Sequence, residues 1–259
     1  MIQLFAVNIL PLKDEICFRK CFLRSSKERR KRADELGMRS DQARCIAAGL
    51  LLEYAYKKFR TDYIKELAKA NSFGSVSGRI FEEVPEETMP DIEKDCNGKP
   101  YFVSGPLSFN LSHSGNYVIC VIADREVGAD IQRATRVRES LVRRCFSEKE
   151  KESLEICGNN EFDRELTFAS IWTSKEATVK LTGRGIAQLL EKLIRDISKE
   201  GEEKEELAKG ENICIRQGLL DEEYAWAVAW YPDAIENGGV TEPIPVDIVF
   251  VDGGELFGE

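Results

Sequence analysis

The sequence predicts an α+β protein made of two halves, on three observations. Short apolar runs of strand type recur along the chain, segments with helical spacing stand between them, and the strand-then-helix pattern starts afresh after Asp124. The expected halves are residues 1–123 and 124–259. At 259 residues the chain can form one large domain or two small ones, and 42% hydrophobic with 32% charged residues excludes global disorder.

In the first half, Gln3 to Leu10 reads as a strand. A helix follows Ser40 or Asp41, with Ile46, Leu50 and Tyr54 on one face. Residues 84–98, which include Pro85, Pro90, Asn97 and Gly98, read as a loop. Phe109 to Leu111 and Tyr117 to Ala123 are strands around a polar turn, Ser112 to Asn116.

In the second half, a strand is expected near Val127 to Ile131, a helix from about Glu139, and a helix through Trp172 to Leu181. Ser198 to Gly210 is almost wholly charged and reads as an exposed loop or a solvated helix. Tyr224, Trp226, Val228 and Trp230 alternate with Ala225, Ala227 and Ala229, which makes a strand with its large residues on one face. Val246 to Val251 is the last strand. No short-period repeat relates the halves.

The net charge of -9 argues against a general nucleic-acid binder, because such affinity comes from Lys and Arg neutralising phosphates. One basic run stands out against it: eight of the fourteen residues from Arg19 to Arg32 are Lys or Arg, with Glu28 the single acid. Such a run is ordinarily a solvated helix face and gains meaning only with an anionic ligand. The eight cysteines form no C-x-x-C pair and His113 is the only histidine, so zinc and thioredoxin spacings are missing. The N-terminal stretch lacks a basic n-region and is broken by Pro11, and no segment has the apolar length of a membrane span. A cytoplasmic protein without membrane or nucleic-acid partners is expected.

Three segments carry chemistry. In IWTSKEATVKLTGRGI, from Ile171 to Ile186, Trp172, Glu176 and Lys180 fall along one helix side. An isolated Glu and Lys so spaced ordinarily form a surface ion pair of small worth. In VGADIQ, Asp130 and Gln132 share one strand face, and with Glu176 they could offer hard oxygen ligands to Mg²⁺. In FNLSHSG, Ser112 and His113 sit at a turn where hydroxyl, imidazole and backbone N–H groups could meet an anion. No G-x-S-x-G elbow accompanies them, so a serine hydrolase is not indicated.

The blocks GKPYF, FNLSHSG, VGADIQ, FSEKE and WTSKEATVKLTGRGI, in this order and spacing, resemble the Sfp-type 4′-phosphopantetheinyl transferases over roughly residues 20–190. The resemblance implies a pseudo-dimer of two similar α+β halves with coenzyme A in the cleft between them. It implies transfer of the 4′-phosphopantetheine of coenzyme A to a serine of an apo acyl or peptidyl carrier protein, with release of adenosine 3′,5′-bisphosphate. By the same resemblance Asp130 and Glu176 are Mg²⁺ ligands. Mn²⁺ is expected to substitute, and Glu176, directly or through a water, is the expected general base. Lys180 contacts the phosphates. Gln132 stands where the family pattern has a second acid, and it either binds metal through its amide oxygen, holds a metal-bound water, or makes no contact. Coenzyme contacts fall on Ser112, His113 at the 3′-phosphate, Lys99, Lys175, and Arg29 and Arg32 near the nucleotide. A monomer is expected.

Two readings compete. A non-catalytic module that keeps coenzyme or carrier-protein affinity would follow if Gln132 weakened the metal site beyond use. A nucleotide-dependent kinase is disfavoured because the chain has no G-x-x-x-x-G-K-[ST] loop.

Overall fold

A computed structural model of the chain describes residues 1–72, 86–183, 213–232 and 245–258. The charged stretch Ser198 to Gly210 lies outside the described residues. In chain order the elements are β1 (Ile2–Asn8), a 3-10 turn (Leu10–Lys13), α1 (Glu15–Arg24), α2 (Lys27–Asp34), α3 (Arg39–Ser72), β2 (Ile92–Lys94), β3 (Pro100–Phe102), β4 (Ser108–Ser114) and β5 (Tyr117–Ala123). There follow β6 (Val127–Arg133), α4 (Glu139–Cys145), α5 (Glu148–Ile156), α6 (Glu161–Thr182), β7 (Cys214–Leu220), β8 (Tyr224–Trp230), β9 (Val246–Val251) and α7 (Gly253–Phe257). The class is mixed α+β.

The chain forms two compact units. Unit 1 takes Met1–Asp95, Pro100–Val127 and Ile244–Glu259, and unit 2 takes Cys96–Lys99 and Gly128–Pro243. They are not two consecutive halves of the chain. The reason is β9, which pairs in parallel with β1 from Ile2↔Val246 to Val7↔Val251 and so carries the last residues back to the first strand.

Unit 1 is a four-stranded sheet in the order β4-β5-β1-β9, with α3 against it. Strand β5 is buried at every position, so its apolar run YVICVIA faces cover on both sides. Helix α3 buries Ile46, Leu50, Leu51 and Phe59 in the same core as Phe5, Val118 and Ile122. The expected first strand ends at Asn8 rather than Leu10, because Pro11 fixes the φ of a 3-10 turn and has no N–H to lend to a ladder. The expected loop at 84–98 contains β2, which pairs with β3 in a small hairpin.

Unit 2 is a three-stranded sheet in the order β6-β8-β7, covered by α6. Small residues let helix and sheet approach closely. Ala177 and Leu181 of α6 meet Ala227 and Ala229 of β8, the alanine face that alternates with Trp226, Val228 and Trp230. A second cluster joins the helices: Phe146 stacks on Phe168 and Phe168 on Trp172, at centroid distances of 5.4 and 6.3 Å.

Candidate active site

Helix α6 supplies most of the candidate chemistry, and its register comes from the buried ridge Ala169, Thr173, Ala177 and Leu181, spaced four residues apart. That ridge lies on the sheet. Against it runs β6, where a Cβ on Gly128 would stand 2.1 Å from the Ala177 carbonyl oxygen and 2.3 Å from the Leu181 nitrogen. Only glycine permits this approach. The close contact brings Asp130, two residues further along β6, within reach of α6.

Asp130 is 7% exposed. Lys180 crosses from α6 to donate hydrogen bonds to Asp130 Oδ1 at 2.7 Å and to the Ala129 carbonyl at 3.1 Å. The ion pair runs between helix and strand, not along the helix from Glu176 to Lys180. Glu176 is half-buried beside them, and burial pushes its carboxyl above the ordinary carboxylate range. The Asp130 charge raises it further, and the Lys180 ammonium pulls the other way.

Gln132 lies two residues beyond Asp130 and is half-buried, its Nε2 donating to the Arg133 carbonyl at 3.1 Å. That use of the amide nitrogen leaves Oε1 as the group Gln132 can offer to a cation. Among the described residues no group of three or more His, Cys, Asp or Glu side chains is arranged to hold a metal. The donor set is therefore two carboxylates and one amide. Two carboxylates, close enough that the Asp130 charge raises the Glu176 carboxyl, with hard oxygen atoms, fit a divalent cation of the Mg²⁺ type.

Lys99 donates from Nζ to the Leu181 carbonyl at 3.1 Å, placing an ammonium at the C-terminal end of α6, where the helix dipole favours positive charge. Lys175 turns elsewhere on the same helix, to Glu150 Oε1 at 2.8 Å. Asp130, Glu176, Gln132, Lys180, Lys99 and Lys175 are thus all found in unit 2 around α6 and β6.

The remaining candidates belong to unit 1. Ser112 and His113 do not form a turn: β4 runs on through Ser114, pairing Ser112↔Ile119, His113↔Val118 and Ser114↔Tyr117. The turn is Gly115 and Asn116, with Gly115 at φ 53°. As neighbours in a strand, Ser112 and His113 point to opposite faces, Ser112 buried and His113 exposed. Arg29, on α2, lies over Gly49 of α3, where a Cβ would meet its Nε at 2.9 Å. Arg32 is exposed.

Arg44 was not anticipated. Its Nη1 donates to the Gly115 carbonyl at 2.9 Å while Nη2 is paired with Asp41, which ties the first turns of α3 to the turn that follows His113. The signal available in the sequence was an arginine three residues after an aspartate at a helix start.

Residues 126–229 match the sequence model of the 4'-phosphopantetheinyl transferase superfamily. The chain is 35% identical over 139 residues to "4'-phosphopantetheinyl transferase psf-1" of Bacillus pumilus, covering 53% of this chain and 59% of that one. The similarity to this superfamily lies in residues 126–229. A second superfamily relative, "4'-phosphopantetheinyl transferase" of Bacillus subtilis, is 32% identical over 139 residues, 52% of this chain and 61% of that one. A third, "4'-phosphopantetheinyl transferase Sfp" of Bacillus subtilis (strain 168), is 29% identical over 187 residues, 70% of this chain and 83% of that one. The chain thus spans about three fifths of the length of the first two relatives. The superfamily match contains β6, α6 and β8 up to Ala229, and with them Asp130, Glu176 and Lys180.

Proposed function

We propose that this chain transfers the 4′-phosphopantetheine of coenzyme A to a serine of an apo acyl or peptidyl carrier protein and releases adenosine 3′,5′-bisphosphate. The observation that carries this reading is the meeting of Asp130, Glu176 and Lys180 across the Gly128 contact, inside the segment that matches the superfamily. The reaction moves a phosphoryl-linked group and needs charge neutralisation and alignment more than covalent help.

Each residue has a part. Glu176, with its carboxyl raised by burial and by Asp130, accepts the proton of the incoming serine hydroxyl. Lys180 has three N–H donors, two of them directed at Asp130 and Ala129, and the third is directed to the coenzyme phosphates as charge develops on the leaving side. Asp130 and Glu176 would hold Mg²⁺, or Mn²⁺ in its place, and the Gln132 amide oxygen would serve as a third donor or anchor a bound water. Such an ion supplies charge neutralisation to pyrophosphate oxygens. In unit 1, His113 meets the 3′-phosphate from the exposed face of β4, Arg44 fixes the turn beyond it, and Ser112, Arg29 and Arg32 add coenzyme contacts, as Lys99 does in unit 2.

The same reading makes the chain a cytoplasmic monomer with two structurally similar halves. Its support is that none of the eight cysteines, all among the described residues, is in a disulfide, which suits a reducing compartment, and a sheet with a long helix against it in each unit. No described helix is long and apolar enough to cross a membrane. Incubation of the purified chain with Mg²⁺, coenzyme A and an apo carrier protein, followed by intact-mass measurement, tests the reading. A carrier heavier by one phosphopantetheine is the expected product, and an unmodified carrier across a panel of such proteins would reject it.

A further inference from the structure

Glu150, at the start of α5, uses its two carboxylate oxygens for two different elements. Oε2 accepts from the Ser147 N–H at 2.7 Å, and Ser147 Oγ in turn accepts from the Glu150 N–H, a reciprocal cap that fixes the first turn of α5. Oε1 faces the Lys175 ammonium of α6 at 2.8 Å. The same ammonium lies 5.7 Å from the ring centre of Phe146, the residue just before the cap. Phe146 is itself stacked on Phe168 of α6. The side chains of Lys175 and Glu150 are only 16% and 29% exposed.

Lys175 immediately precedes Glu176. Successive residues on a helix are turned about 100° from one another, so a side chain held at one position sets the direction of the next. We infer that Glu150 and Lys175 form a positioning pair which fixes the rotation of α6 about its axis, and so holds Glu176 toward Asp130. The pair touches neither substrate nor coenzyme. The segment FSEKE then acts through three residues: Phe146 as an aromatic seat, Ser147 as the cap, and Glu150 as the clamp on Lys175. On this reading Lys175 serves Glu150 and the Phe146 ring rather than a phosphate.

This inference rests on the transfer activity proposed above. The test uses the full chain with Glu150→Gln, Lys175→Glu, Glu150→Lys and the exchange Glu150→Lys/Lys175→Glu. Glutamine serves a capping box as glutamate does, so Glu150→Gln keeps the start of α5 while removing the charge opposite Lys175. Steady-state transfer should show kcat lowered about tenfold or more by Glu150→Gln and by each charge reversal, as expected for a small misplacement of the reacting groups. The Michaelis constant for coenzyme A should stay within about twofold, since no coenzyme contact is lost. The exchange should recover most of kcat, because it restores an ion pair in the reversed sense.

A Michaelis constant for coenzyme A that rises tenfold in Lys175→Glu and is not recovered by the exchange would make Lys175 a coenzyme contact and overturn the inference. Unchanged kcat in Glu150→Gln would overturn it equally. If wild-type chain fails to modify any carrier protein, the proposed function itself is rejected, and the inference with it. If wild type transfers and these variants behave otherwise than expected, only the inference falls.

Discussion

Lys180 and Asp130, fifty residues apart in sequence, meet at 2.7 Å between α6 and β6, with Asp130 7% exposed. The pair is a structural joint as well as a chemical one, because it fastens the helix that carries Glu176 to the strand that carries Gln132. Replacing Lys180 by Ala should slow single-turnover transfer at saturating coenzyme A by roughly a hundredfold or more. It should also lower Tm, since Asp130 is left buried without its cation. The double variant Lys180→Ala/Asp130→Asn should recover part of the lost Tm and none of the lost rate. Additive Tm losses would mean that the two side chains are not coupled.

Gly128 makes a prediction that depends on backbone alone. A methyl group there would overlap the Ala177 carbonyl and the Leu181 nitrogen, neither of which can turn aside as a side chain can. Gly128→Ala should therefore cost about 1–3 kcal/mol or more in chemical denaturation and depress transfer by parting β6 from α6. Wild-type stability in this variant would show that the helix and strand can separate freely.

Gln132 tests how many charges the cation site needs. Asp130→Ala should remove most activity, Gln132→Ala should do less, and Gln132→Glu should tighten divalent-ion binding measured by calorimetry on the protein without coenzyme. Excess chelator should abolish transfer and added Mg²⁺ or Mn²⁺ should restore it. Full activity in chelator would reject the metal assignment.

Glu176 should trade stability against function. Its folded-state pKa is raised, by burial first and by Asp130 second, so its ionised form costs stability at neutral pH. That cost fades as pH falls through the raised folded value toward the ordinary value of about 4.3, because the folded state then binds the proton more readily than the unfolded chain. In the absence of divalent ions, Glu176→Gln should be at least as stable as wild type at neutral pH, with the difference shrinking toward mildly acid pH, while transfer falls by several orders of magnitude. A variant less stable than wild type at neutral pH would contradict the stated balance between burial and Lys180.

His113 offers a test confined to unit 1. His113→Ala should raise the Michaelis constant for coenzyme A much more than for 3′-dephospho-coenzyme A. Equal effects on the two would remove the 3′-phosphate contact. Arg44→Ala should give a weaker version of the same pattern, since it loosens the Gly115 turn rather than the imidazole itself.

Much of the fold was legible because local pattern and tertiary burial agree. Tyr224 to Trp230 and Val246 to Val251 are strands with the bounds that alternation and apolar runs indicate. The last helix of the matched segment, α6, ends at Gly183 with φ 68°, as its glycine suggests. Ser112 and His113 were read as a turn because small polar residues favour turns, but the ladder to Val118 and Ile119 draws them into β4. Strand β7 was missed: Arg216, Gln217 and Gly218 interrupt the apolar run of CIRQGLL, which lies at an edge of its sheet. The parallel pairing of β9 with β1 has no local signature, nor do the partners of Lys175 and Lys180, which lie 25 and 50 residues away. Sequence periodicity names the face of an element but not what that face will meet.

The neighbour of β1 on one side is β9, and the register pairs Ile2 with Val246. During synthesis β1, α3, β4 and β5 are all made long before that strand, with the long segment Gly128–Pro243 of unit 2 in between. Until then one flank of β1 presents unpaired backbone N–H and C=O groups, the kind of edge to which other chains add. At the pace of translation, on the order of 5–20 residues per second, the wait from the end of β5 to the end of β9 is several seconds or more. The growing chain is most exposed to misassembly in that interval, and a slower ribosome would lengthen it.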